Sequence, residues 1–189
     1  MPTAGDALPP EVKSVLLLSP GAGFWEIFAA SEEHRSGAPD PLDRWSARVI
    51  GALAAELGGA AYFPFGPDAA PFLTWAARGG RAWSSPVHLL VGADMGLNTS
   101  YRGAIGLGHR IDWPDADRPC EGCAAPCETA CPVGALTPAG YDVPACQAYL
   151  RATPECDCRQ AGCLVRRACP VSVPQTAAQA QFHMAAFLG

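Results

Sequence analysis

The sequence predicts an α+β fold: a sheet-and-helix domain, α/β-like in its alternation, joined to a small cysteine module rich in loops and short helices. Three observations predict it. All nine cysteines of the 189 residues fall between Cys120 and Cys169. Ahead of them, short aliphatic runs alternate with segments of helical periodicity, the pattern of a sheet layered with helices. Within the cysteine stretch, Pro and Gly are frequent and bulky aliphatics few. That stretch cannot fold on apolar burial alone and needs another staple. The expected partition is 1–117 for the sheet-and-helix domain, 118–171 for the cysteine module, and 172–189 for a C-terminal helix docked on the core.

Residues 1–10 read as a loose polar tail. Val12 to Leu18 is β-branched and aliphatic and stops at Ser19-Pro20-Gly21, so it reads as a buried strand. Phe24 to Ser31 reads as a short helix. Asp40-Pro41 opens the next helix, with Asp40 as N-cap and Pro41 at the first helical position. Leu42, Trp45, Val49, Ile50, Leu53 and Leu57 follow at helical spacing, and Gly58-Gly59 ends the element. Ala60 to Phe65 is a second strand, and Ala70 to Arg78 a helix closed by Gly79-Gly80. Val87 to Val91 and Ser100 to Leu107 read as third and fourth strands. In the cysteine stretch the helical candidates are Cys127 to Leu136, Val143 to Arg151 and Cys163 to Cys169. Gln175 to Leu188 is an alanine-rich helix that offers Phe182, Ala186 and Phe187 for docking.

Bulk composition narrows the function. Hydrophobic residues make up 49%, enough for a packed core. The net charge of −5 leaves no basic field for a phosphate backbone, so no nucleic-acid partner is expected. No aliphatic run approaches the roughly 18 to 20 residues of a membrane span. The Met-Pro-Thr-Ala-Gly-Asp start has neither a basic n-region nor an apolar h-region, so a cytoplasmic protein is expected. There, clustered cysteines hold metal more often than disulfides.

The first cysteine group is Cys120-x2-Cys123-x3-Cys127-x3-Cys131-Pro132. The bacterial ferredoxin run is C-x2-C-x2-C-x3-C-P, so one residue within Ala124-Ala125-Pro126 is extra. Val133-Gly134-Ala135-Leu136 continues it in the ferredoxin manner. The second group is Cys146, Cys156, Cys158, Cys163 and Cys169-Pro170, with wider gaps. Both groups close on Cys-Pro. An iron–sulfur cube needs a thiolate at each of four irons. A tight loop delivers three, and in two-cluster ferredoxins the Cys before Pro crosses to the other cluster. Two [4Fe–4S] clusters use eight thiolates. Cys156 is the one left over, because Cys158-x4-Cys163 with Cys169-Pro170 better parallels the first group. One cluster with spare thiols remains open, as does a zinc-stabilised interaction module built on Cys120-x2-Cys123 and Cys156-x-Cys158.

Residues 118–171 resemble the ferredoxin module of epoxyqueuosine reductase and of the corrinoid-dependent reductive dehalogenases, through the first cysteine run, the isolated Cys within Tyr141 to Leu150, and the closing Cys-Pro. The chain as a whole resembles short bacterial 4Fe–4S ferredoxin-like proteins. That likeness rests on Pro64-Phe65-Gly66, Pro71-Phe72 with Trp75-Ala76, Ser85-Pro86, Ser100-Tyr101-Arg102-Gly103-Ala104 and Phe182-His183-Met184. The resemblance implies that Cys120, Cys123, Cys127 and Cys169 bind one cluster, and that Cys131, Cys146, Cys158 and Cys163 bind the other. It implies electron transfer with a redox partner protein. The N-terminal half resembles a shortened form of the reductases' corrinoid domain, but their catalytic acid has no counterpart here. An enzyme holding a corrinoid or flavin in that half, fed by the clusters, is the alternative.

No catalytic residue is expected. His34, His88, His109 and His183 lack ligand spacing, and His88 falls in an expected strand. Asp112, Asp115 and Asp117 read as a solvated loop, with docking of a basic partner as the sharper option. Arg166-Arg167 reads as a charged helix face, with an offset of cluster charge as the sharper option. Gly103 to Gly108 lacks the G-x-G-x-x-G pattern of dinucleotide sites.

Overall fold

A computed structural model describes residues 8–21 and 23–189. The tail expected over 1–10 lies outside the described residues up to position 7. The fold is mixed α and β, and the chain divides into two compact units. The first runs up to Gly80 and adds Ser100–Asp115; the second is Arg81–Thr99 with Ala116–Gly189.

In the first unit, β1 (Ser14–Leu18), β2 (Ala60–Tyr62) and β5 (Gly103–Leu107) form a sheet in the order β1-β5-β2. Both pairings are antiparallel, so the alternation of strands and helices does not produce a parallel sheet here. The central strand is buried along its whole length. Its alternate residues serve two layers. Ile105 and Leu107 pack with Ile50 and Ala54 of α3 (Pro41–Glu56). Ala104, on the opposite face, packs with Phe72 and Trp75 of α4 (Phe72–Arg78). Glycine is needed on this strand. A Cβ at Gly103 would lie 2.5 Å from Ile50 Cδ1, and one at Gly106 would lie 2.8 Å from the Tyr62 ring.

Two expectations for α3 need correction. Asp40 adopts a left-handed conformation (φ 50°) and its side chain makes no cap bond. Arg44 braces that turn instead, donating from Nε to the Pro39 carbonyl at 3.0 Å. The buried face carries Ser46, Ile50 and Ala54, while Leu53 and Leu57 are exposed. Of these, Ile50 and Ala54 pack against the sheet. Two further helices, α1 (Phe24–Ala29) and α2 (Glu32–Arg35), complete the unit. Phe28 is fully buried there, with the Phe24, Trp25, His34 and Trp45 rings all within 5.9 Å of it, centroid to centroid. His34 is thus a packed aromatic.

In the second unit, β3 (Ala82–Ser84) and β4 (Leu90–Gly92) form an antiparallel hairpin. The strand expected over Val87–Val91 begins only at Leu90, since 86–89 make the turn, with His88 left-handed at φ 61°. The His88 Nε2 lies 2.7 Å from the Pro138 carbonyl oxygen. The helix expected over Cys127–Leu136 shrinks to a 3₁₀ turn at Pro126–Glu128, and the chain then makes a small hairpin, β6 (Leu136–Thr137) with β7 (Gly140–Tyr141). Helices α5 (Val143–Ala152), α6 (Asp157–Ala161), α7 (Leu164–Ala168) and α8 (Ala177–Leu188) follow. Thr176 caps α8 by accepting from the Gln179 amide. The last helix buries Ala180 and Met184 rather than Ala186, and its Phe182 and Phe187 are half-buried. The division therefore differs from one at residue 117. Arg81–Thr99 belongs with the cysteines, because Val87, Val91 and Leu97 share one apolar cluster with Cys127, Leu136 and Val165.

Candidate metal centre

All nine cysteines are free and lie in the second unit. Eight of them line two separate cavities. Cys120, Cys123, Cys127 and Cys169 line one of about 300 Å³, together with Val91, Leu97 and Pro170. Cys131, Cys146, Cys158 and Cys163 line another of about 170 Å³, with Tyr141, Val165 and Arg166. Cys156 lines neither. It is buried at the N-cap of α6, packed with Leu150 and Met184, and it hydrogen-bonds the Tyr149 hydroxyl.

Local structure explains the sorting. Gly122, at φ 73°, turns the first loop so that Cys120 and Cys123 converge. The 3₁₀ turn carries Cys127 into the same cavity and Cys131 out of it. Cys163 and Cys169 sit at the two ends of α7, as its N-cap and C-cap. A helical rise of about 1.5 Å per residue sets those ends on the order of 9 Å apart, so one short helix serves both cavities.

The sulfurs receive hydrogen bonds suited to thiolates. The Ala125 amide donates to Cys123 Sγ at 3.4 Å, and the Ala135 amide to Cys131 Sγ at 3.2 Å. The Leu164 amide favours the charged form of Cys158, and the Tyr141 hydroxyl that of Cys146. Burial nevertheless pushes the Cys158 thiol up to about 11, and the negative charge of Cys163, Cys156 and Cys131 adds to the rise while the Leu164 amide opposes it. Burial likewise raises Cys120, Cys127 and Cys146, each with further cysteines adding to it. Burial of this kind disfavours each of these thiolates, and a positive centre beside them would reverse that.

Other charged groups divide by position. Arg166 lines the second cavity and its guanidinium donates to the carbonyl of Leu97, a residue that lines the first; Arg167 pairs with Asp157 at 2.9 Å. Among the described residues, two buried hydroxyls have no hydrogen-bond partner, those of Ser85 and Thr99. Burying a hydroxyl unpartnered costs about 1–3 kcal/mol. Ser85 lines the first cavity, beside the thiols. In the sequence Ser85-Pro86 is only one mark of the ferredoxin-like resemblance, and nothing there places it beside the cysteines.

In the first unit, Arg102 pairs with Asp43, donates to Ser46 Oγ at 3.4 Å, and lies 5.5 Å from the centre of the Phe65 ring. Tyr101 packs beside the apolar cluster of Phe72, Trp75 and Ala104. These residues tie helix to sheet. Among the described residues, no helix is long and apolar enough to cross a membrane. No set of three or more His, Cys, Asp or Glu side chains among them is gathered closely enough to hold a metal ion. Comparison of the chain with protein-family models, curated proteins and solved structures finds no match.

Proposed function

We propose that this protein is an electron-transfer protein carrying two [4Fe–4S] clusters, in a ferredoxin-like module fused to a small sheet-and-helix domain. One observation carries the reading: eight cysteines divide four and four between two cavities, with Cys131 and Cys169 each leaving its own sequence group for the other. That exchange is the cross-ligation of two-cluster ferredoxins. The number of thiols supports a polynuclear centre over a single zinc, since one four-thiolate zinc site leaves the other four cavity cysteines unused. Tetrahedral zinc draws four sulfurs to about 2.3 Å from one ion, whereas a cubane takes one thiolate at each of four separate irons.

A bound [4Fe–4S] cluster supplies reversible one-electron exchange. The chain's part is to hold and insulate. Cys120, Cys123, Cys127 and Cys169 hold one cluster; Cys131, Cys146, Cys158 and Cys163 hold the other. Val91, Leu97, Leu136 and Val165 keep water from between them. Amide donors to sulfur favour the more negative, reduced state. No proton transfer or nucleophile is required.

The test is an iron and sulfide count on anaerobically purified protein, expected at about eight of each per chain. Cys156→Ser should keep that count, and Cys131→Ser or Cys146→Ser should lower it by about half. Zinc without iron, or iron loss in Cys156→Ser equal to that in Cys146→Ser, overturns the reading.

A further inference from the structure

Resting on the two-cluster reading, we infer that Ser85 is a further cofactor-contacting residue: its hydroxyl donates a hydrogen bond to a sulfur of the cluster held by Cys120, Cys123, Cys127 and Cys169, and so tunes that cluster alone. Three observations converge on it. Ser85 is 5% exposed, and its Oγ has no hydrogen-bond partner among the described residues. It lines the first cavity with all four of those cysteines and is absent from the lining of the second. Its backbone is fixed, because its amide donates to the Leu89 carbonyl at 2.9 Å and its carbonyl accepts from the His88 amide at 3.0 Å. Ser85 is therefore held beside the cavity by the β3–β4 turn, and its hydroxyl has a proton to offer.

The contrast with Thr99 sharpens the assignment. Thr99 Oγ1 is equally buried and unpartnered, yet it packs against Gly92, away from both cavities. An unpartnered buried hydroxyl calls for a partner absent from the protein itself. The cavity beside Ser85 is lined by four thiols, apolar groups and Glu121, and sulfur is the acceptor that a cluster on those four cysteines would bring there.

The chemistry is a one-electron change without a proton. Dithionite, the reductant of the titration, gives up one electron and the cluster accepts it, gaining one unit of negative charge. A hydroxyl donor to a cluster sulfur favours the more negative state, so its removal makes reduction harder.

The experiment is a redox titration of the anaerobically purified full chain, followed by electron paramagnetic resonance, on wild type, Ser85→Ala and Ser85→Thr. Ser85→Ala should keep the wild-type iron and sulfide content. One of its two midpoints should fall, by up to a tenfold change in the reduction equilibrium, or about 59 mV for one electron. Ser85→Thr, which retains the hydroxyl, should restore it. In a Cys146→Ser background, which keeps only the first cluster, the same fall should persist on the remaining midpoint. Full clusters with both midpoints unmoved, equal shifts of both, or loss of the effect in the Cys146→Ser background would each overturn the role of Ser85 and leave the two-cluster reading standing. Iron and sulfide near zero in the wild type would overturn both.

Discussion

At the residue scale, the ion pair of Glu33 with Arg48 shows how a charge is held at low solvent exposure. The Arg48 Nε and Nη2 donate to the two Glu33 carboxylate oxygens at 2.5 and 3.1 Å. The guanidinium hydrogen bonds hold the Glu33 carboxyl well below its ordinary 4.5, at about 2, with desolvation opposing them. A depressed acid stabilises the fold fully above its unfolded value and loses that contribution as pH falls through the folded one. Arg48→Ala should therefore lower the urea midpoint by a constant amount above about pH 5.5. The gap to wild type should close as pH falls from about 4.5 toward 2. Tryptophan fluorescence reads this, and a gap independent of pH would refute it. Neither partner was legible as a pair, because Glu33 and Arg48 are 15 positions apart and nothing local links them. The division of the cysteines was legible because their spacing and the two Cys-Pro closures are local features of the chain. Cys156 is the N-cap of α6, two residues before Cys158, and lines neither cavity.

At the scale of elements, the periodic segments were readable and their buried faces were not. The strand at Ser14–Leu18 and the helix at Pro41–Glu56 follow from apolar runs and punctuation. The face of α3 did not, since Ser46 and Ala54 enter the core where Leu53 and Leu57 were the more apolar choice. Close packing on a glycine-bearing strand selects for size ahead of hydropathy. Two glycines of this layer should respond oppositely to substitution. Gly103→Val on β5 meets Ile50 and should destabilise by about 1–3 kcal/mol. Gly51→Ala on α3 meets nothing within 4 Å and should stabilise by up to about 1 kcal/mol. Thermal or urea unfolding of the two variants checks both signs. If Gly103→Val matches wild type, the close packing of β5 on α3 is wrong.

At the scale of the whole molecule, the two units hold together by different means. The first has an apolar core between sheet and helices and no cysteine. The second spreads short helices and two-stranded hairpins around its thiols. On the proposed two-cluster reading, treatment with an iron chelator under reducing conditions should therefore release the second unit and spare the first. Hydrogen exchange should show amides of β1, β5 and α3 still protected while those of α5 and α7 exchange freely. Equal loss of protection in both units would show that the metal staples the entire chain. The sequence placed this boundary at residue 117, where the cysteines begin. It lies elsewhere because Val87, Val91 and Leu97 are ordinary core residues, and nothing in their type says which core they join.

Because Arg81–Thr99 folds with residues far downstream, a chain emerging from the ribosome cannot finish its parts in order. Synthesis reaches Gly80 with β1 and β2 made and the strand that pairs with both, Gly103–Leu107, still to come. The next stretch to emerge is an apolar hairpin whose partners, from Cys127 to Val165, do not yet exist. A fragment cut at residue 80 would lack its central strand, and one cut at 117 would carry that hairpin with nothing to cover it. Neither four-cysteine set is complete until the chain has been made as far as Cys163 and Cys169, and the protein is divisible in space without being divisible by scissors.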